Sequence, residues 1–364
     1  MAELLSHSTQ RPCCGAGTNF ARIQHDDAPR AALSQEVRQC DTTVNGQATY
    51  FVWANRGKHS VVLDLKTPQG LAALLDLASG ADVFVQNLAP DAAAGLAIDA
   101  AAIRVGHDAL VACDISGYGR GGPRDGDKAY DLAIQAEAGV FAVTGGSEMS
   151  KAGVSIADIA TAQLAVSSIL AALLRRARTG TGAALEVTML DALVDWVAPA
   201  VYGAAYSGRE PARTGRRHHS IAPYGTFALD DGSTVLIAVQ NEREWLRLAR
   251  DVLASDELTT SADFASNSAR FAHVDRLEQL MSQALLRLPA AQMRTLLAEH
   301  AITTANVNSL LDVWQHPQLR ARDRFQTVPL PGTAAELLRS PFAISGLEPG
   351  PGQVPDRKST RLNS

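Results

Sequence analysis

The sequence predicts an α/β fold: a doubly wound parallel sheet followed by a smaller α+β domain. Three observations predict it. Short apolar runs alternate with helical patterns from about 48 to 206, the signature of strand–helix–strand units. Composition then shifts at 207–217, which is rich in Gly, Pro and Arg and reads as a linker. Beyond it, an Asp-Gly turn between two apolar runs signals a β-hairpin, and helical patterns follow. The resulting division is 1–40 as a segment without clear pattern, 41–206 as the large domain, 207–325 as the small one, 326–355 as a return to the large domain, and 356–364 as a polar tail.

In chain order, 1–40 shows no sustained period of 2 or 3.6. Ala48–Trp53 reads as an apolar approach to the turn Asn55-Arg56-Gly57-Lys58, and Ser60–Leu65 alternates as a strand. Thr67-Pro68 opens a helix through Ala78. Ala81–Gln86 and Ala109–Ser116 are strands; the second ends in a Gly-rich loop, 117–123, read as loose and carrying no phosphate-loop fingerprint.

The central stretch is Lys128–Arg176. Ser155 sits at an N-cap position with Asp158 three residues on, an S-x-x-D capping box. The broadly apolar run that follows reads as a buried helix, closed by Arg175, Arg176 and Arg178 and stopped by Gly180. Asp158 has two readings. It is a first-turn carboxylate satisfying helix N–H groups, or it is a nucleophile kept ionised by the helix mouth and stripped of water. Farther on, Ala184–Leu190 reads as a strand, and Asp191–Tyr206, Glu242–Leu253, Ala272–Leu285 and Ala290–Glu299 as helices.

The chain has 364 residues, enough for two domains, with 46% hydrophobic residues and a formal charge of −5. That balance speaks against nucleic acid or an anionic membrane as partner. Polar residues interrupt the longest apolar run, so it does not read as a membrane span. The start has no signal-peptide pattern, and the four cysteines show no metal-ligand spacing, so no metal is expected and a cytoplasmic location is.

The pattern Lys128-Ala129-Tyr130-Asp131, Gln135-Ala136, Thr144-Gly145 and Gly153-Val154-Ser155-Ile156-Ala157-Asp158 resembles the class III CoA-transferases (formyl-CoA transferase-like, CaiB/BaiF). The similarity runs from about Asp41 to about Gly350 and is nearest to the branch acting on mesaconyl-CoA and citramalate. The resemblance implies a Rossmann-like large domain and a homodimer of interlocked rings. It implies a CoA thioester as substrate, with no tightly bound cofactor, and a carboxylic acid as acceptor. It makes Asp158 the nucleophile, passing through a mixed anhydride and an aspartyl-CoA thioester. It assigns Asn55, Arg56, Lys58, Asn87, Lys128, Ala129 and Tyr130 to CoA binding, and His218 to a free carboxylate of a C4 or C5 dicarboxylate. Read alone, the Asn55–Lys58 turn is more often a solvated loop, His218 is equally a structural histidine, and Gly145-Gly146-Ser147 is at least as readily a simple turn. Asp91 and Gly95 stand where the family carries a Gly and an Arg.

Residues 1–40 do not show the family's opening strand–helix unit, and 356–364 are unlike its last helix. The expectation is an open sheet edge and poor expression. Two alternatives stay open: an α-methylacyl-CoA racemase-like isomerase, against which Tyr130 stands in place of a histidine, and an inactive CoA-binding fragment.

Overall fold

Strand-forming Val, Ile and Phe runs alternate here with Ala- and Leu-rich helices, and each sheet face is covered in turn. The structure, a computed structural model, describes residues 2–6, 19–25, 41–341, 352 and 354. It divides into two units. The first comprises 1–138, 153–198 and 317–364, and the second 139–152 and 199–316.

The first unit holds a six-stranded sheet in the order β3-β2-β1-β4-β5-β6. The strands are β1 (Ala2–Ser6), β2 (Asn19–His25), β3 (Lys58–Leu63), β4 (Val83–Gln86), β5 (Val111–Ser116) and β6 (Ala184–Thr188). β2 and β3 pair in parallel, as do β4–β5 and β5–β6. The expectation of a fully parallel sheet needs correction, because β1 runs antiparallel to both its neighbours. Antiparallel neighbours do not need the long crossover that parallel strands require. The expected gap at the start of the domain is likewise corrected. Two strands drawn from 1–40 lie in the sheet between β3 and β4. The expectations for the rest of 1–40 and for 356–364 lie outside the described residues.

Adjacent strand residues feed opposite cores. Phe84 and Ala112 join Leu63, Leu74, Ala78, Ile98 and Ile103 on the face covered by the Pro68–Ser79 helix. Val83, Val111, Cys113 and Val187 meet Ala165, Ile169 and Ala172 of the Ile156–Thr179 helix on the other. Helices on both faces make the sheet doubly wound. Burial pushes the Cys113 thiol up to about 12, with Asp114 adding to the effect, so it is an inert core residue.

Two local readings change. Thr49–Trp53 lies in a helix, Thr49–Asn55, with Ala48 as its N-cap; its Phe51 and Val52 pack on Val328 and Leu330 of the β10–β11 hairpin (Phe325–Leu330 and Thr333–Leu338). The Ile156–Thr179 helix is long and apolar enough to cross a membrane by length and composition, yet it lies on the sheet. It is not buried all round as expected. Small residues, Ala157, Ala160, Thr161, Ala165 and Ala172, face inward and let the helix approach closely, while Leu164, Val166, Leu170 and Leu174 stay exposed, the last two at 58%.

The second unit carries the antiparallel sheet β7-β8-β9 (Tyr224–Ala228, Thr234–Ala238 and Thr303–Asn306). The β7–β8 hairpin turns at Asp231-Gly232, with Gly232 at φ +79°. Phe227, Val235, Ile237, Trp245, Leu277, Met281 and Leu297 form its core.

Candidate active site

A helix exposes unpaired N–H groups at its start, and something must accept them. At the Ile156–Thr179 helix Ser155 is the N-cap, but its side chain makes no capping bond. The acceptor is Asp131. Its Oδ1 receives the Ala157 N–H at 2.8 Å and the Asp158 N–H at 3.3 Å. Gln135, one turn on and buried, donates its Nε2–H to Asp131 Oδ2 at 2.6 Å and reaches the Val154 carbonyl at 3.3 Å. The expected S-x-x-D box is therefore absent. Asp158 does not cap its own helix, and the reading of it as a first-turn cap falls.

What remains is a carboxylate at a helix mouth with no hydrogen-bond donor to it among the described residues. The residue is exposed overall, but the packed mouth behind the carboxyl removes part of its water. That desolvation, followed by repulsion from Asp131, pushes its pKa above the usual carboxylate range.

The segment before Asp131 is held by close packing. A Cβ on Gly117, at the end of β5, would overlap the Ala129 methyl group, so only glycine lets the two chains approach this closely. Lys128 and Tyr130 flank that contact and are exposed, Tyr130 at 64%. Asp131, the next residue along, is the one bonded to the start of the Ile156–Thr179 helix. The Gly-rich loop is tied rather than loose. Arg120 donates to the Pro90 carbonyl at 2.7 Å, and Arg124 pairs with Asp127 and with Glu137 at 2.6 Å while stacking over Tyr118. Glycine content suggested freedom that these arginines remove.

Asn87 follows β4 at the same, strand-end edge of the sheet and is exposed. The Asn55–Lys58 turn is elsewhere. Lys58 opens β3, level across the ladder with Phe20, Leu5 and Val83, at the strand-start edge. Asn55 is 3% exposed and donates to the Phe51 carbonyl at 3.0 Å, so its side chain shapes the turn from inside. Arg56 donates to the Leu338 carbonyl at 2.7 Å.

In the second unit, His218 is stacked between His219 and Tyr224, with ring centroids 4.3 and 4.9 Å away. Its Nδ1 accepts the N–H groups of Ser220 and Ile221 at 3.2 Å, which leaves the proton on Nε2. Burial and then the neighbouring His219 lower its pKa, so the ring is a neutral donor. Asn267 and Arg270 brace this loop through Ala222 and Ser220. The Gly145–Ser147 segment is a tight turn, with Gly145 at φ +104° and Arg213 donating to the Gly146 and Ser147 carbonyls at 3.1 Å.

Sequence reasoning gave no role to Asp131, Gln135, Asn267 or Arg270. The spacing of Asp131 and Gln135, four apart on one helix face, was the available signal for the first pair.

The doubly wound sheet with helices on both faces defines an α/β protein. The chain belongs to CoA-transferase family III, whose family model matches residues 22–356. It is 33% identical over 304 residues to the succinate–glutarate CoA-transferase of Agrobacterium fabrum, an alignment covering 83% of this chain and 76% of that one. It is 30% identical to the succinyl-CoA:mesaconate CoA-transferase of Haloarcula hispanica, with 83% and 77% covered, a relative within the branch expected from the sequence. A CaiB/BaiF family protein from Brucella suis superimposes with a TM-score of 0.76 at 28% identity, covering 90% of this chain and 85% of that one.

Proposed function

We propose that this CoA-transferase moves coenzyme A from an acyl-CoA to a dicarboxylate by covalent catalysis at Asp158. The observation that supports the reading most is the helix-mouth carboxylate left without a capping role. An Asp158 oxygen attacks the thioester carbonyl, the C–S bond breaks, and CoA thiolate leaves with the electron pair. The thiolate then attacks the Asp158 carbonyl of the mixed anhydride, releasing the first carboxylate and leaving an aspartyl-CoA thioester. The acceptor carboxylate collects the CoA by the reverse sequence. Ionised Asp158 is the nucleophile, and its raised pKa makes it a stronger base than an ordinary carboxylate.

Lys128 and Tyr130, with Asn87 on the same edge, are proposed to hold the CoA thioester. His218 is proposed to donate its Nε2–H to the free carboxylate of the dicarboxylate. Relatives that act on succinate, glutarate and mesaconate support that class of substrate. The exposed leucines of the Ile156–Thr179 helix support a homodimer that covers them, which light scattering would report as twice the chain mass.

The functional test is CoA exchange from succinyl-CoA to glutarate, mesaconate, citramalate and itaconate. Saturable transfer to at least one is expected. Solvent deuterium exchange α to the thioester, without transfer, would favour the isomerase reading instead.

The CoA contacts have their own test. Lys128→Ala is expected to weaken CoA binding by ~1–3 kcal/mol, the range for a charge-assisted hydrogen bond, and more strongly at low salt. Lys58→Ala, on the opposite edge of the sheet, is expected to cost less. Equal losses in titration calorimetry would contradict this placement.

A further inference from the structure

We infer that Asp131 is a positioning residue for the transfer: it aims the Asp158 backbone, and its fixed negative charge favours the covalent states of Asp158 over the free carboxylate. The inference rests on the reading of Asp158 as nucleophile and adds to it a residue with no contact to substrate.

The geometry carries it. Asp131 Oδ1 grips the N–H groups of Ala157 and Asp158 together, 26 and 27 residues along the chain. Gln135 locks the other oxygen from within the core. The grip has two consequences. First, the N–H groups at the front of the helix are already occupied, so the helix mouth does not serve as an anion site for Asp158's own carboxylate. Second, two carboxylates face one mouth. Desolvation and, after it, the Asp131 charge raise the pKa of the Asp158 carboxyl.

Charge bookkeeping gives the direction. Before reaction, Asp131 and Asp158 repel. After attack on the thioester, the negative charge has passed from Asp158 to the CoA thiolate, and Asp158 is a neutral anhydride. In the following aspartyl-CoA thioester it is again neutral, and the charge leaves on the released carboxylate. No proton is needed at either step. Repulsion present only in the free enzyme is relieved in both intermediates, so the Asp131 charge raises the starting state relative to them. Gln135 keeps that charge from rotating away.

Asp131→Asn removes the charge while its amide oxygen still accepts the helix N–H groups, and Gln135, which donates to the oxygen replaced by the amide NH2, turns its own carbonyl toward it. The readout is the fraction of Asp158 trapped as its hydroxamate after brief exposure of the full chain to succinyl-CoA and then hydroxylamine, measured across pH. In the wild type, the acid limb is expected above the ordinary carboxylate range. In Asp131→Asn, the limb is expected to move down, while the part of the rise that comes from desolvation stays. The covalent fraction at neutral pH should fall with it. A limb and fraction unchanged in Asp131→Asn would make Asp131 a helix cap alone and overturn the inference. So would a wild-type limb at the ordinary carboxylate value, a result that needs no variant to fold. Absence of any wild-type adduct on Asp158 would instead overturn the nucleophile reading, and this inference with it.

Discussion

Asp158→Ala is expected to remove CoA transfer almost entirely, by on the order of 10⁴–10⁶-fold in kcat, the scale seen when a covalent nucleophile is deleted. Such a loss is expected because no neighbouring group can take over: Asp131 is engaged with two backbone N–H groups and Gln135. The fold is expected to survive, since Asp158 makes none of the capping bonds. Stability supplies a second readout. The folded-state pKa of Asp158 is raised, so its proton is held more tightly in the native state than in the unfolded chain. That contribution stabilises at low pH and is lost as pH rises through the raised folded value. At neutral pH the ionised carboxylate therefore costs stability. Asp158→Asn should raise the thermal midpoint at pH 7, with the gain vanishing in acid. Retention of a tenth or more of the activity in Asp158→Ala would contradict the assignment.

The second large effect is expected in the other unit. Arg270 is 2% exposed, stacked over Trp245 at 4.8 Å, and hydrogen-bonded to the Ala222 and Phe264 carbonyls. Glu242 neutralises it through contacts of 2.7 and 3.0 Å. Glu242→Ala leaves a buried guanidinium without its counter-charge and should cost about 3 kcal/mol, the low end for breaking such a pair because Glu242 itself is half-exposed. The bond to Arg270 lowers the pKa of Glu242. Its contribution is thus present above the unfolded carboxyl value and lost as pH falls through the folded one. The gap between wild type and variant, read as urea midpoints, should shrink in acid. A loss below about 1 kcal/mol at pH 7 would show that water, not Glu242, compensates Arg270.

Much of the fold was legible because it is written locally. The Pro68–Ser79 helix announces itself by Thr67 and Pro68, and Thr67 does cap Gly70. The β7–β8 turn announces itself by Asp231-Gly232. The errors fall where partners are distant in sequence or where patterns are ambiguous. A seven-residue apolar stretch such as Thr49–Asn55 fits strand approach and helix equally, and packing against the β10–β11 hairpin decides for helix. The S-x-x-D spacing looked like a capping box, but a carboxylate 27 residues upstream won the N–H groups. Broad hydrophobicity suggested a fully buried Ile156–Thr179 helix, whereas Ala157, Ala160, Ala165, Ile169 and Ala172 take the sheet side and Leu164, Leu170 and Leu174 the open side. At the site, family-like motifs led to Asp158 and the Lys128–Tyr130 segment. Asp131 stood within the same motif, but its role depends on a contact across 26 residues that no spacing rule reports.

The most direct measurement is the site of covalent attachment. The full chain is incubated with succinyl-CoA, trapped with hydroxylamine or borohydride, digested, and its peptides weighed. The peptide spanning Gly153–Arg175 should carry the modification, with fragment masses locating it on Asp158. It should disappear in Asp158→Ala. A modified peptide bearing another carboxylate, or turnover without any trapped adduct, would contradict covalent catalysis at this helix mouth.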